Sequence, residues 1–163
     1  MPPRVKYVGV DAMPGVVQRN RELYGEPGRV EFLLADMEKE NVLQAVEAAS
    51  SLWEPGDRVA VLTRHALEHN TWGTIRRFVR SLKASGAAYF IATNAVHRVE
   101  NGVSVVNTER GNVLGGYFPI DFHAPPWNWR RGIATWLESV QKEDAGGTYL
   151  EVWLVSQLPD VML

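Results

Sequence analysis

Four short apolar runs, each closed by a polar residue and most followed by a helix-like stretch, constrain this chain more than any other feature. The first, 5–10, reads Val-Lys-Tyr-Val-Gly-Val and stops at Asp11. The second, 29–35, stops at Asp36; the third, 58–63, runs into Arg64-His65; the fourth, 87–93, runs into Asn94. Short runs rich in β-branched and aromatic residues read as strands. The stretches between them carry helix punctuation. Pro14 suits a first helical turn and Gly25 an end, with Val16, Asn20, Leu23 and Tyr24 near helical spacing. Asn41 suits the cap of a helix carrying Val42, Val46, Ala49 and Trp53 on one side, and Pro55-Gly56-Asp57 is a turn. Asn70 suits the cap of the strongest helix, whose stripe is Trp72, Ile75, Phe78, Val79 and Leu82. Arg76, Arg77, Arg80 and Lys83 fill its other face, which reads as solvated surface, and Ser85-Gly86 ends it. Strand-helix alternation predicts an α/β fold with a mostly parallel sheet. Nearly continuous apolar strands predict helices over both sheet faces. With no repeat and no linker, one domain over 1–163 is expected.

The last third breaks the pattern. Residues 94–116 are polar and glycine-rich, without a clear element. Gly115-Gly116 opens a segment through Trp129 dense in aromatics and prolines. Such a segment suits the wall or lid of a small-molecule pocket, with Asp121, His123, Trp127 and Asn128 facing a substrate, and equally suits a loop packed on the sheet. Residues 133–140 and 148–157 are β-like and flank Asp144-Ala145-Gly146-Gly147, which predicts an antiparallel hairpin. The first of these runs also fits a short helix. Four of the six tryptophans, Trp127, Trp129, Trp136 and Trp153, fall in this part.

Net charge is −2, from 17 basic and 19 acidic residues, so no basic field points to nucleic acid. The chain has no cysteine, which removes disulfides and thiolate-bound zinc. Its longest apolar run is too short to span a bilayer, and no signal-like core follows the start. A cytoplasmic domain is the expectation.

In an open parallel sheet, ligands bind beyond the carboxyl ends of the strands. That rim holds Asp11, Asp36, Arg64, His65 and Asn94. An acid closing one strand can accept from both ribose hydroxyls of a nucleoside, and an acid closing the next can meet the adenine amino group. Each is also an ordinary turn former or helix cap. His65 can orient a substrate, accept a proton, or serve as a structural hydrogen-bonding residue. His65-Ala66-Leu67-Glu68-His69 matches the H-x-x-E-H pattern of zinc hydrolases, with Glu143 as a conceivable third ligand. The pattern needs a helix, yet here it directly follows a strand.

These residues resemble class I S-adenosylmethionine-dependent methyltransferases. Tyr7-Val8-Gly9-Val10-Asp11 is similar to that family's second-strand motif with its ribose acid, and Leu34-Ala35-Asp36 to the end of its third strand with its adenine-side acid. Thr63-Arg64-His65-Ala66-Leu67-Glu68-His69 resembles the H-V-L-E-H segment after the fourth strand, which gives the zinc-like match a simpler origin. Residues 86–94 resemble the fifth strand. Gly116-Tyr117-Phe118-Pro119-Ile120-Asp121-Phe122 with Pro125-Pro126-Trp127-Asn128 resembles a G-x-x-P-L-N-L…P-F-N signature of small bacterial-type members. Thr148-Tyr149-Leu150-Glu151-Val152-Trp153 resembles the last, antiparallel strand.

The resemblance implies a Rossmann-like sheet ending in an antiparallel hairpin, with S-adenosylmethionine as cofactor. It implies cofactor contacts at Asp11, Ala12, Asp36, Met37 and Arg64, a transfer site bordered by His65 and Asn94, and a small-molecule acceptor. The family's first strand and glycine-rich loop have no counterpart before Val5. The resemblance therefore predicts an N-terminally truncated form that binds cofactor poorly, or a non-catalytic module of the same fold.

Overall fold

The computed structural model describes residues 5–52, 54, 56–96, 99–100, 103–104, 106–107, 116–140 and 147–160. Trp53, Pro55, Gly115, Glu143 and the hairpin loop at 144–146 lie outside the described residues. The chain divides into two compact units, Met1–Asp57 and Arg58–Leu163.

In the first unit β1 (Tyr7–Asp11) pairs in parallel with β2 (Val30–Leu34), Tyr7 opposite Val30 and Asp11 opposite Leu34. Between them runs α1 (Pro14–Tyr24), with Pro14 in its first turn. Its buried residue is Val17; Val16, Leu23 and Tyr24 are exposed, so the expected stripe is not the buried one. Gly9 is required by contact: the Phe32 ring lies over it, and an added Cβ would stand 2.5 Å from that ring. α2 (Val42–Ala49) begins where predicted, the Asn41 side chain accepting from Gln44 N–H.

In the second unit β3 (Ala60–Thr63) pairs in parallel with β4 (Tyr89–Val96), joined through a 3₁₀ turn at Leu67–His69 and α3 (Trp72–Ala84). The cap of α3 is Thr71, whose hydroxyl accepts from Thr74 N–H at 3.2 Å. Asn70 sits one residue early, and its amide donates back to the Ala66 carbonyl at 2.7 Å. β5 (Val99–Glu100) and β6 (Val103–Ser104) pair antiparallel. β7 (Ala134–Val140) is a strand rather than a helix, and with β8 (Gly147–Leu154) forms the predicted antiparallel hairpin. β8 lies antiparallel to β4, giving the order β3-β4-β8-β7.

Among the described strands, parallel pairing is thus confined to β1·β2 and β3·β4; the other three pairings are antiparallel. The expectation of strands covered on both faces fails in the first three, where Val10, Leu34 and Leu62 are exposed. Among the described residues, β1 and β3 each have one strand neighbour. No helix among the described residues is long and apolar enough to cross a membrane.

The second unit's core is aromatic. Phe122 stacks on Trp129 at 4.4 Å, and Phe90 stacks on Trp153 at 6.0 Å. Phe78, Trp127 and Trp72 extend the cluster. Such pairs add roughly 0.5–1.5 kcal/mol each beyond the burial of apolar area.

Candidate functional site

The parallel register of β1 and β2 brings Asp11 and Asp36 to the same, carboxyl end of one sheet. The Ala35 N–H donates to the Asp11 carbonyl at 3.1 Å, so the two chains leave their strands side by side. Both side chains serve local turns. Asp11 Oδ1 accepts from Met13 N–H at 2.8 Å, while Oδ2 has no partner among the described residues. Asp36 Oδ1 accepts from Glu38 N–H at 3.0 Å, and Oδ2 lies 2.8 Å from Lys39 Nζ. The Lys39 ammonium, helped by that amide, holds the Asp36 carboxyl below the usual carboxylate range, so it stays charged. A carboxylate offers about four lone-pair sites, so both retain capacity for a further donor. Ala12 is exposed and Met37 half-buried in the same two turns.

A second polar cluster gathers side chains from the end of β3, from β4 and from β7. His65 follows the end of β3 with a left-handed backbone, φ 49°. Its N–H donates to Thr93 Oγ1 at 2.9 Å. Its ring is half exposed, with Nδ1 3.1 Å from Glu68 Oε2 and Nε2 3.6 Å from Glu138 Oε2. Glu68 is enclosed, its Oε1 without a partner among the described residues. Burial pushes its carboxyl above the usual range, opposed by the hydrogen bond from His65. Glu138 accepts from Arg64 Nε at 2.7 Å, and Thr93 Oγ1 donates to it at 3.4 Å.

The third group is interior. Asn94, expected past a strand end, lies within β4 and is wholly enclosed. Its amide donates to Glu151 Oε2 at 2.7 Å and its carbonyl accepts from Phe122 N–H at 2.9 Å. It is a buried link between β4, β8 and the aromatic segment, not a residue of the rim. β4 overshoots its predicted end because β8 pairs with it as far as Val96 opposite Gly147. Asp121 and Trp127 are likewise buried. The aromatic segment folds inward because burying its rings gains more than exposing them. His123 is half-buried, with Nδ1 3.1 Å from the Trp129 carbonyl and Nε2 2.9 Å from Glu151 Oε2. Asn128 is exposed and left-handed, φ 51°, a conformation asparagine tolerates.

No protein-family model matches the chain, and no curated protein matches it by sequence. Solved structures do match. A protein of Thermobifida fusca YX assigned as a methyltransferase superposes with a TM-score of 0.59 at 14% identity, over 91% of this chain and 63% of that one. The N-terminal domain of EvdMO1 with S-adenosylhomocysteine bound gives 0.53 at 14% identity, over 93% and 66%. The same domain in the presence of S-adenosylhomocysteine and D-fucose gives 0.52 at 14% identity, over 93% and 67%. The chain has a methyltransferase fold. It spans about two thirds of the length of the structures it matches.

Within this methyltransferase fold the H-x-x-E-H match is a strand-end turn. His65 turns to Glu68, and His69 Nδ1 lies 3.0 Å from the Gly116 carbonyl, so the two histidines have separate partners. Among the described residues no three His, Asp or Glu side chains are grouped to hold a metal ion. Three residues of these clusters escaped the sequence reading. Glu138 lies 74 residues from Arg64, and only the pairing of β7 with β8 carries it there. Glu151, within an apolar strand, gave the one available signal: a charge between two apolar residues, Leu150 and Val152. Asn107 accepts from Asp121 N–H at 3.1 Å and donates to the Asp121 carbonyl at 2.7 Å, holding the aromatic segment as a strand partner would.

Proposed function

We propose that the chain is the methyltransferase part of an S-adenosylmethionine-dependent enzyme acting on a small-molecule acceptor. The observation that carries this reading is the shared carboxyl end of β1 and β2, where Asp11 and Asp36 leave adjacent parallel strands. The matched methyltransferase structures support it at the level of fold. Asp11, with the Ala12 backbone, would take the ribose hydroxyls. Asp36, with Met37 beside it, would take the adenine amino group. The cofactor supplies an electrophilic methyl group. The chain's own residues bind, orient and exclude water, which suits a displacement needing alignment more than covalent help. Arg64 is assigned to the cofactor and His65 to the acceptor.

A second reading has its own support. Both aspartates already serve their turns, as they would in a binding module of this fold without catalysis. One experiment separates the two. Adenosine at millimolar concentration, followed by amide NMR, is expected to shift residues 11–13 and 36–38, and Asp11→Ala is expected to abolish the response. Amides that stay in place throughout would refute the nucleoside site and favour the module.

A further inference from the structure

Three locally unfavourable features converge on one imidazole. His65 holds a left-handed backbone, φ 49°, a conformation disfavoured for a residue with a side chain. Glu68 places a carboxylate in the interior with one oxygen unpartnered among the described residues. β7 breaks register between Leu137 and Ser139, and the residue at the break is Glu138. A β-bulge re-aims a side chain, and this one delivers a carboxylate with a side chain 9% exposed. Departures from local preference that gather at one point mark function.

The geometry sets the ring's chemistry. A carboxylate oxygen can only accept, so with Glu68 ionised the 3.1 Å contact has Nδ1 as the donor to Oε2. That leaves the lone pair of the neutral ring on Nε2. Glu138 Oε2, at 3.6 Å from Nε2, is beyond hydrogen-bond distance. Arg64 and Thr93 hold Glu138 in place, at 2.7 and 3.4 Å. Thr93 also receives the His65 N–H, so ring and carboxylate share one anchor.

We propose that Glu68 and Glu138 are positioning residues that fix His65 in the Nδ1–H form, with Nε2 set to take a proton from a hydroxyl or amino group of a bound acceptor. The acceptor's X–H bond breaks, the proton passes to Nε2, and the electron pair stays on X, which becomes the nucleophile. The proposal rests on the assignment of His65 to the acceptor side, but its test needs no cofactor.

The test is long-range ¹H–¹⁵N NMR of the imidazoles in the 163-residue chain, across pH. Free imidazole side chains favour the Nε2–H form, so an Nδ1–H neutral ring at His65 is diagnostic. Glu138→Gln should move the Nε2 resonance, because an amide can donate to Nε2, and Glu138→Asp should return it toward the native position. A native neutral ring protonated at Nε2 overturns the proposal without any variant. So does an Nε2 resonance indifferent to Glu138→Gln in a folded chain. Failure of the adenosine response would sink the methyltransferase reading and leave this result standing.

Discussion

At the scale of single residues, the buried carboxylate of Glu68 makes the sharpest demand. Its folded-state pKa is raised, chiefly by burial. A raised acid binds its proton more tightly folded than unfolded. Stability is therefore greatest below the unfolded value and falls as pH rises through the folded one. Glu68→Gln removes the charge and keeps an oxygen for His65. We expect the variant's melting temperature to gain on the native protein's between pH 4 and pH 7; parallel curves would show that Glu68 carries no such penalty. Asp11 and Asp36 show how far residue-level reasoning reached. Their place at strand ends was legible, because an acid closing an apolar run is visible in sequence. That Lys39 would claim one Asp36 oxygen follows from the turn's geometry, which the sequence does not display.

Elements were read better than their edges. Strand and helix types followed from apolar periodicity, which is local. The start of α3 did not. Asn70 and Thr71 are both good caps and both have extended backbones, and only their side-chain partners choose between them: the Thr71 hydroxyl reaches Thr74 N–H, while the Asn70 amide turns back to the Ala66 carbonyl. Thr71→Ala is expected to cost about 1 kcal/mol in denaturant melts. Asn70→Ala should leave the first turn of α3 protected from hydrogen exchange; loss of protection there would transfer the cap to Asn70. The overshoot of β4 and the bulge in β7 share one cause. Both depend on β8, which is more than fifty residues from β4 in sequence and invisible to any local window.

For the whole molecule, the aromatic segment matters most. Composition suggested a lid or a packed loop, and the rings decide for the loop. Phe122 lies within 6.5 Å, centroid to centroid, of Phe90, Trp127, Trp129 and Trp153. Phe122→Ala should cost about 4 kcal/mol and erase most of the near-ultraviolet circular dichroism of the stacked indoles. A retained signal would mean that the tryptophans are ordered by something else.

The sequence by itself determined the class of the fold, the alternation of its first four strands with helices and the candidate acids, since each follows from short-range pattern and residue chemistry. The tertiary structure alone decided which polar residues are enclosed and which reach water. It buried Asn94 and Asp121, left His65 half exposed, and brought Glu138 across the sheet to it. Burial and long-range pairing are set by which strands meet, and that choice is made by the whole chain at once.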